Sequence, residues 1–169
     1  MEFIRVNRND SAAIEALAAA AAEIWTEHYT PIIGAEQTAY MIEKFQSAAA
    51  IKEQLAHGYR YDLAVENGET AGFMGYYPTE GYMYLSKLYL YKHKRGRGLS
   101  HEMVDHVAAA AREEGLSSIE LNVNRHNDGS VAAYEALGFK RIREEKNDIG
   151  NGFYMDDFVY RLDMESREQ

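Results

Sequence analysis

The run Arg95-Gly96-Arg97-Gly98-Leu99-Ser100 has the residue types and spacing to hold an anion. Glycine lets a backbone approach a ligand closely, because no Cβ intervenes. The first N–H groups of a helix have no partner within it and point outward. Together with the helix dipole they make a site suited to phosphate. Arg95 and Arg97 add positive charge. Further along come Asn127, Tyr134 and the pair Gly138-Phe139. A phenol with a pKa of about 10 is protonated at neutral pH and can donate to a departing anion. The two constellations read as a cofactor cradle and a catalytic tyrosine. Each also has a plainer reading. Lys92 to Arg97 has the composition of a solvated basic loop or a nucleic-acid patch. Tyr134 is one of 13 tyrosines. Asn127 is placed to cap a helix ahead of Ser130.

Other elements must bring these residues into position. Phe3 to Val6 reads as a first strand. Asp10 or Ser11 caps a helix with Ile14, Leu17, Ala18, Ala21, Ile24 and Trp25 at helical spacing. Pro31 and Gly34 are expected to interrupt it. A second helix starts near Ala35, and a short third one runs from about Ser47 to His57. Tyr61 to Glu66 and Thr70 to Tyr77 form strands joined by Asn67-Gly68, a strong hairpin signal. Tyr82 to Tyr91 is the strand feeding the glycine run. The helix after the run, Ser100 to Glu114, carries Met103, Val104, Val107, Ala108 and Ala111 on one face, and Gly115 stops it. Ile119 to Val123 is a strand and Asp128 to Leu137 a short helix. Phe139 to Arg143 and Phe153 to Met164 are the last strands, with Lys146 to Gly152 connecting them. This order predicts an α/β (α+β) fold, a mixed sheet flanked by helices. The two strands that each feed a helix should lie side by side, and where they part a ligand can enter.

At 169 residues the chain is expected to form one domain, 1–169, with a sizeable core. It is 46% hydrophobic and 27% charged, which fits a globular protein rather than a disordered one. There is no cysteine, which excludes disulfides, cysteine nucleophiles and thiolate metal sites and fits a cytoplasmic location. The start lacks the basic-then-apolar order of a signal peptide. The stretch Ala12 to Ala22 contains Glu15 and is too short to span a bilayer, so no membrane partner is expected. Net charge is −9, which argues against nucleic acid as a partner. An acidic surface favours cationic ligands, though it also serves solubility alone. His101 and His106 stand off the i,i+4 interval of a helical zinc pair, so no metal is expected. Tyrosine-rich strands offer apolar surface that a homodimer could bury.

In this order and at this separation, the motifs resemble the GNAT acetyltransferase superfamily. The glycine run is similar to its pyrophosphate loop, Arg/Gln-x-x-Gly-x-Gly/Ala, with Ser100 at the last position. Leu88-Tyr89-Leu90 looks like the strand segment whose backbone binds the pantetheine arm and acetyl carbonyl. Asn127 to Phe139 is similar to Asn-x-x-Ala-x-x-x-Tyr-x-x-x-Gly-Phe, with Ser130 in place of Ala. Met155 to Tyr160 resembles the last strand. The similarity covers Tyr61 to Met164. Trp25 to Tyr29 and Glu36 to Phe45 give a fainter likeness to the helical lid of diamine- and polyamine-type members.

The resemblance implies a GNAT fold: a mostly antiparallel sheet of about seven strands with a splayed parallel pair. It implies acetyl-CoA as cosubstrate, held by Leu88, Tyr89, Leu90, Arg95, Gly96, Arg97, Gly98, Leu99, Ser100, Asn127 and Tyr134. A backbone N–H near Leu90 would polarise the acetyl carbonyl, and Tyr134 would protonate the thiolate. A primary amine with a pKa of about 10.4 must lose a proton before attack. Some relatives that acetylate protein N-termini carry a glutamate where Asn122 stands here, and an amide is no base. Glu80, Tyr84, Asp157 acting through water, or water alone remain as bases. The expected function is N-acetylation of a small cationic amine. The alternatives are a protein or peptide N-acetyltransferase and a catalytically idle acyl-CoA-binding module.

Overall fold

The computed structural model describes residues 1–165. Among them, seven strands form one sheet in the order β1-β2-β3-β4-β5-β7-β6. The strands are β1 Glu2–Arg5, β2 Arg60–Glu66, β3 Glu69–Pro78, β4 Met83–Leu90, β5 Ser118–Asn124, β6 Lys140–Gly150 and β7 Phe153–Asp163. The helices are α1 Ser11–Ile33, α2 Ala35–Gln46, α3 Ala48–Ala56, α4 Leu99–Glu113 and α5 Asp128–Ala136. β4 and β5 pair in parallel through Met83↔Ile119 and Tyr84↔Glu120. The pairs β1–β2, β2–β3, β5–β7 and β6–β7 are antiparallel. Among the described residues, no helix is long and apolar enough to cross a membrane.

The chain forms two compact units. The first comprises 1–77 and 87–103, and the second 78–86 and 104 onward. In the first, Asp10 caps α1 by accepting from the Ala13 N–H at 3.0 Å, which satisfies one of the orphan donors of the first turn. Ile14, Leu17, Ala20, Ala21, Ile24, Trp25 and Tyr29 form its buried stripe. Pro31 does not interrupt α1 as expected; it sits in the last turn, on the exposed side. A proline there forfeits one bond near an end that is already short of partners, so the helix continues to Ile33. Gly34 ends it at φ +88°. Asn67 and Gly68 both have positive φ, 53° and 79°, as a two-residue hairpin turn requires.

In the second unit, Val104, Val107, Ala108 and Ala111 are buried on one face of α4. Gly115, at φ +74°, ends that helix while Leu116 N–H donates back to the Ala111 carbonyl at 2.9 Å. Buried Ile119 and Leu121 of β5 stand opposite buried Leu162 and Tyr160 of β7. The segment 146–150, expected as a connection, is the second half of β6. The turn is only Asn151-Gly152, again with positive φ at both residues, 56° and 78°.

Candidate functional site

β4 runs into a 3₁₀ turn, Lys92–Lys94, then the loop, then α4. Gly96 and Gly98 take φ values of +79° and +78°, a conformation that costs side-chain-bearing residues about 1 kcal/mol or more. Leu99 is buried and anchors the start of α4, with half-buried Ser100 beside it. A 15-residue helix thus begins directly after two turns that only glycine makes easily. That is the geometry of an anion cradle.

The loop's cationic side chains already have partners. Arg95 folds back so that Nε and Nη2 donate to the Leu90 carbonyl at 3.2 and 3.1 Å. Its Nη2 also stands 3.4 Å from His28 Nδ1. Burial, and then the Arg95 charge, push the His28 imidazole down to about 4, so at neutral pH it is an acceptor rather than a cation. Arg97 donates to Glu66 at 2.6 Å, and Lys94 reaches Glu69 at 3.0 Å and Glu66 at 3.4 Å. The Arg97 hydrogen bond above all holds the Glu66 carboxyl below its ordinary range. An anion approaching Arg97 therefore competes with Glu66, a residue that the sequence did not single out.

Leu88, Tyr89 and Leu90 occupy the end of β4. Leu90 is buried and Leu88 half-buried. The Tyr89 hydroxyl lies 2.6 Å from that of Tyr29, and its ring packs edge-on against Trp25 and stacks on Phe73. Trp25 and Tyr29 of the lid-like segment thus belong to the core around Tyr89.

In the second unit, Asn127 caps α5. Its Oδ1 accepts from Ser130 N–H at 3.2 Å, and its carbonyl accepts from Val131 N–H at 3.0 Å. The cap explains why an Asn stands there. Tyr134 is half-buried on α5. Its carbonyl accepts from Phe139 N–H at 3.0 Å while Gly138 turns at φ +101°, the closure of a glycine C-cap. The Phe139 ring then meets Tyr134 edge-on at 5.5 Å. The Tyr-x-x-x-Gly-Phe spacing thus fixes the tyrosine through the helix end.

The same unit gathers a side-chain cluster from four strands. Tyr84 OH donates to Asn122 Oδ1 at 2.8 Å. Asn122 Nδ2 donates to Glu145 at 3.1 Å and Asp157 at 3.4 Å. Glu145 and Asp157 are register partners on β6 and β7. Burial pushes the Asp157 carboxyl up to about 6, with Asn122 pulling the other way and the charge of Glu145 adding to the rise. Arg143 chiefly holds Glu145 low. Of the candidate bases, Tyr84 and Asp157 are therefore joined through Asn122, while Glu80 lies exposed in the turn between β3 and β4. Sequence reasoning missed Glu145, since β6 was not expected to reach it.

The fold and these features define a class, an α/β protein with a glycine turn at a strand-to-helix junction and a carboxylate-bearing polar cluster on its strands. The chain belongs to the acetyltransferase (GNAT) family, whose model matches residues 15–139. Membership of that family implies acyl transfer with acetyl-CoA as cosubstrate. A 79-residue stretch is 34% identical to the N-alpha-acetyltransferase MAK3 of Arabidopsis thaliana, covering 47% of this chain and 40% of that protein. The chain thus matches less than half the length of this curated relative. The PaiA N-acetyltransferase of Thermoplasma acidophilum, solved with coenzyme A, superposes with a TM-score of 0.77 at 18% identity, over 96% of this chain and 99% of that one. An aminoglycoside 6'-acetyltransferase of type Ii gives 0.64 at 20% identity, over 97% of each chain. At these identities the likeness is one of fold.

Proposed function

We propose that the protein transfers the acetyl group of acetyl-CoA to a primary amine, and that the acceptor is a small cationic amine. The observation that carries the reading is the glycine loop, with its two left-handed glycines set at the start of α4. Amides from Arg97 to Ser100 hold the pyrophosphate, and Arg95 and Arg97 contribute charge. Leu88, Tyr89 and Leu90 offer backbone to the pantetheine arm, and the Leu90 N–H polarises the acetyl carbonyl. Asn127 meets the cofactor arm. Acetyl-CoA, when bound, supplies an activated acyl thioester. The neutral amine attacks the carbonyl carbon, the C–S bond breaks, and Tyr134 gives its proton to the leaving sulfur. Asp157, acting through water, takes the proton that the amine loses; a buried carboxyl titrating near 6 is ionised at neutral pH and basic enough for that role.

A net charge of −9 favours a cationic acceptor, and aminoglycoside acetyltransferases share this fold. A second reading has its own support. The 34% identity to an N-alpha-acetyltransferase favours a protein or peptide N-terminus. The family match runs through residues of both units, which supports treating 1–169 as one acetyltransferase domain. A cytoplasmic location fits the cysteine-free chain, and exposed Ile142 and Tyr154 give a homodimer apolar surface to bury.

Thiol release from acetyl-CoA, measured against polyamines, aminoglycosides, amino acids and peptides with free N-termini, tests the reading. Turnover should be fastest with small polycations. Release with peptides alone would shift the assignment to the second reading. Coenzyme A binding with no release on any amine would leave an idle binding module.

A further inference from the structure

Gly72 lies in the interior of β3, where a glycine weakens a strand unless another backbone must come close. Its φ is not in the left-handed region, so conformation alone does not require glycine there. Space does. A Cβ at position 72 would stand 2.0 Å from the Tyr89 carbonyl oxygen and 3.0 Å from the Leu90 Cα. No backbone oxygen tolerates a carbon at that distance, and a main-chain atom cannot swing aside as a side chain can. The same stretch of β3 carries a bulge. Ala64 pairs with Gly72 and Val65 with Thr70, which leaves Ala71 unmatched on β3. The Ala71 carbonyl accepts from Tyr91 N–H at 2.9 Å.

Peptide planarity carries this geometry to Leu90. The Tyr89 carbonyl and the Leu90 N–H share one plane and point in opposite directions. With the Tyr89 oxygen lodged against Gly72, the Leu90 N–H points away from β3. The next peptide agrees. Tyr91 N–H points to Ala71, so the Leu90 carbonyl also points away from β3, where Arg95 donates to it twice. Both polar groups of Leu90 are thus aimed to the same side, one by Gly72 and the other by Arg95.

We infer that Gly72 is a positioning residue for acetyl transfer: the missing Cβ seats the Tyr89–Leu90 peptide and so aims the N–H that meets the acetyl oxygen. The inference rests on the acetyltransferase reading above. A methyl at position 72 displaces that peptide and misaims the donor. Coenzyme A without its acetyl group has no oxygen for the donor to meet, so its binding, which uses this backbone only for the pantetheine arm, falls less than the transfer rate.

The test compares Gly72→Ala with Gly75→Ala. At position 75 a Cβ meets only side-chain atoms, Tyr61 Cε1 at 3.0 Å and Lys87 Cδ at 3.4 Å. Gly72→Ala should lower kcat by about 10–100-fold, toward the loss expected when one oxyanion donor is removed. Its coenzyme A dissociation constant should rise by a smaller factor than kcat falls, and Gly75→Ala should keep kcat within about twofold. A purely structural glycine predicts otherwise for Gly72→Ala: a lower Tm with an unchanged kcat for the folded fraction. That result overturns the inference, as does a Gly72→Ala enzyme within twofold of wild-type kcat. If Gly72→Ala does not fold, the Leu90 amide resonance of ¹⁵N-leucine-labelled wild type decides. It should move further with acetyl-CoA than with coenzyme A, and equal responses to both overturn the inference. A wild-type protein that binds no coenzyme A and releases no thiol overturns the acetyltransferase reading and this inference with it.

Discussion

The glycine loop of the first unit and the Asn122 cluster of the second hold candidate chemistry by opposite means. The loop is backbone chemistry from consecutive residues: two left-handed glycines, a buried Leu99 and the start of a helix. Its cationic side chains are held by Glu66, Glu69 and the Leu90 carbonyl. The cluster is side-chain chemistry from distant residues, Tyr84, Asn122, Glu145 and Asp157, which meet because four strands share one register. A function carried by main-chain conformation survives many side-chain changes but not a change of φ. A function carried by register survives backbone-neutral neighbours but not the loss of one polar atom.

Substitutions on the side-chain half should follow that contrast. Tyr134→Phe removes a hydroxyl and keeps the ring against Phe139. Single-turnover rates should fall by about 10²–10⁴-fold, the usual worth of a positioned acid. Affinity for acetyl-CoA should change far less, because the proton is given only as the C–S bond breaks. Stopped-flow kinetics across pH checks this. A near-wild-type rate at every pH would remove Tyr134 from the chemistry and leave catalysis to the backbone half alone.

Asp157 gives a smaller effect with a distinctive pH signature. Its carboxyl titrates near 6, so kcat/KM should rise through about pH 6 and level off above it. Asp157→Asn should abolish that limb and cost about tenfold at pH 7.5, as expected of a base acting through water. Stability should move the other way. The folded pKa lies above the unfolded value of about 3.9, so the folded state binds the extra proton between them. The stability contributed by the protonated carboxyl is present below about pH 4 and is lost as pH rises through about 6. Asp157→Asn should therefore be more stable than wild type at pH 7.5, by up to about 3 kcal/mol. Thermal unfolding at pH 4 and pH 7.5 checks it, and a variant destabilised at pH 7.5 would contradict it.

The same contrast explains how much of the molecule its sequence reveals. Gly96, Gly98 and Gly138 announce themselves because a positive φ is a local demand. Asn127 and Asp10 are legible as caps because the first turn of a helix makes an equally local demand. The two Asn-Gly turns show the limit. At 67–68 the dipeptide is flanked by alternating apolar residues, and the hairpin is plain. At 151–152 the same turn ends Lys140–Gly150, a strand almost wholly exposed and rich in charge. With no apolar alternation, only pairing with β7 makes it a strand. Glu145 was hidden with it. Asp157 and Tyr84 could be named as candidates, but their link through Asn122 depends on sheet register, which no short stretch of sequence encodes. Gly72 left a trace, a glycine inside a strand pattern, but the atom it makes room for is seventeen residues away at Tyr89.

The central claim is that the backbone of residues 95–100 holds the cofactor's pyrophosphate. Gly98 tests it most directly. A Cβ at position 98 would meet nothing within 4 Å, and φ there is +78°. Gly98→Val thus acts through backbone conformation and not through crowding. Calorimetric titration of wild type and variant should use two ligands, acetyl-CoA and acetyl-pantetheine, the second of which lacks the pyrophosphate. The account predicts that Gly98→Val weakens acetyl-CoA by about 100-fold or more, the scale of several charge-assisted hydrogen bonds, and leaves the weaker binding of acetyl-pantetheine unchanged. Equal acetyl-CoA affinity in the two proteins would contradict it.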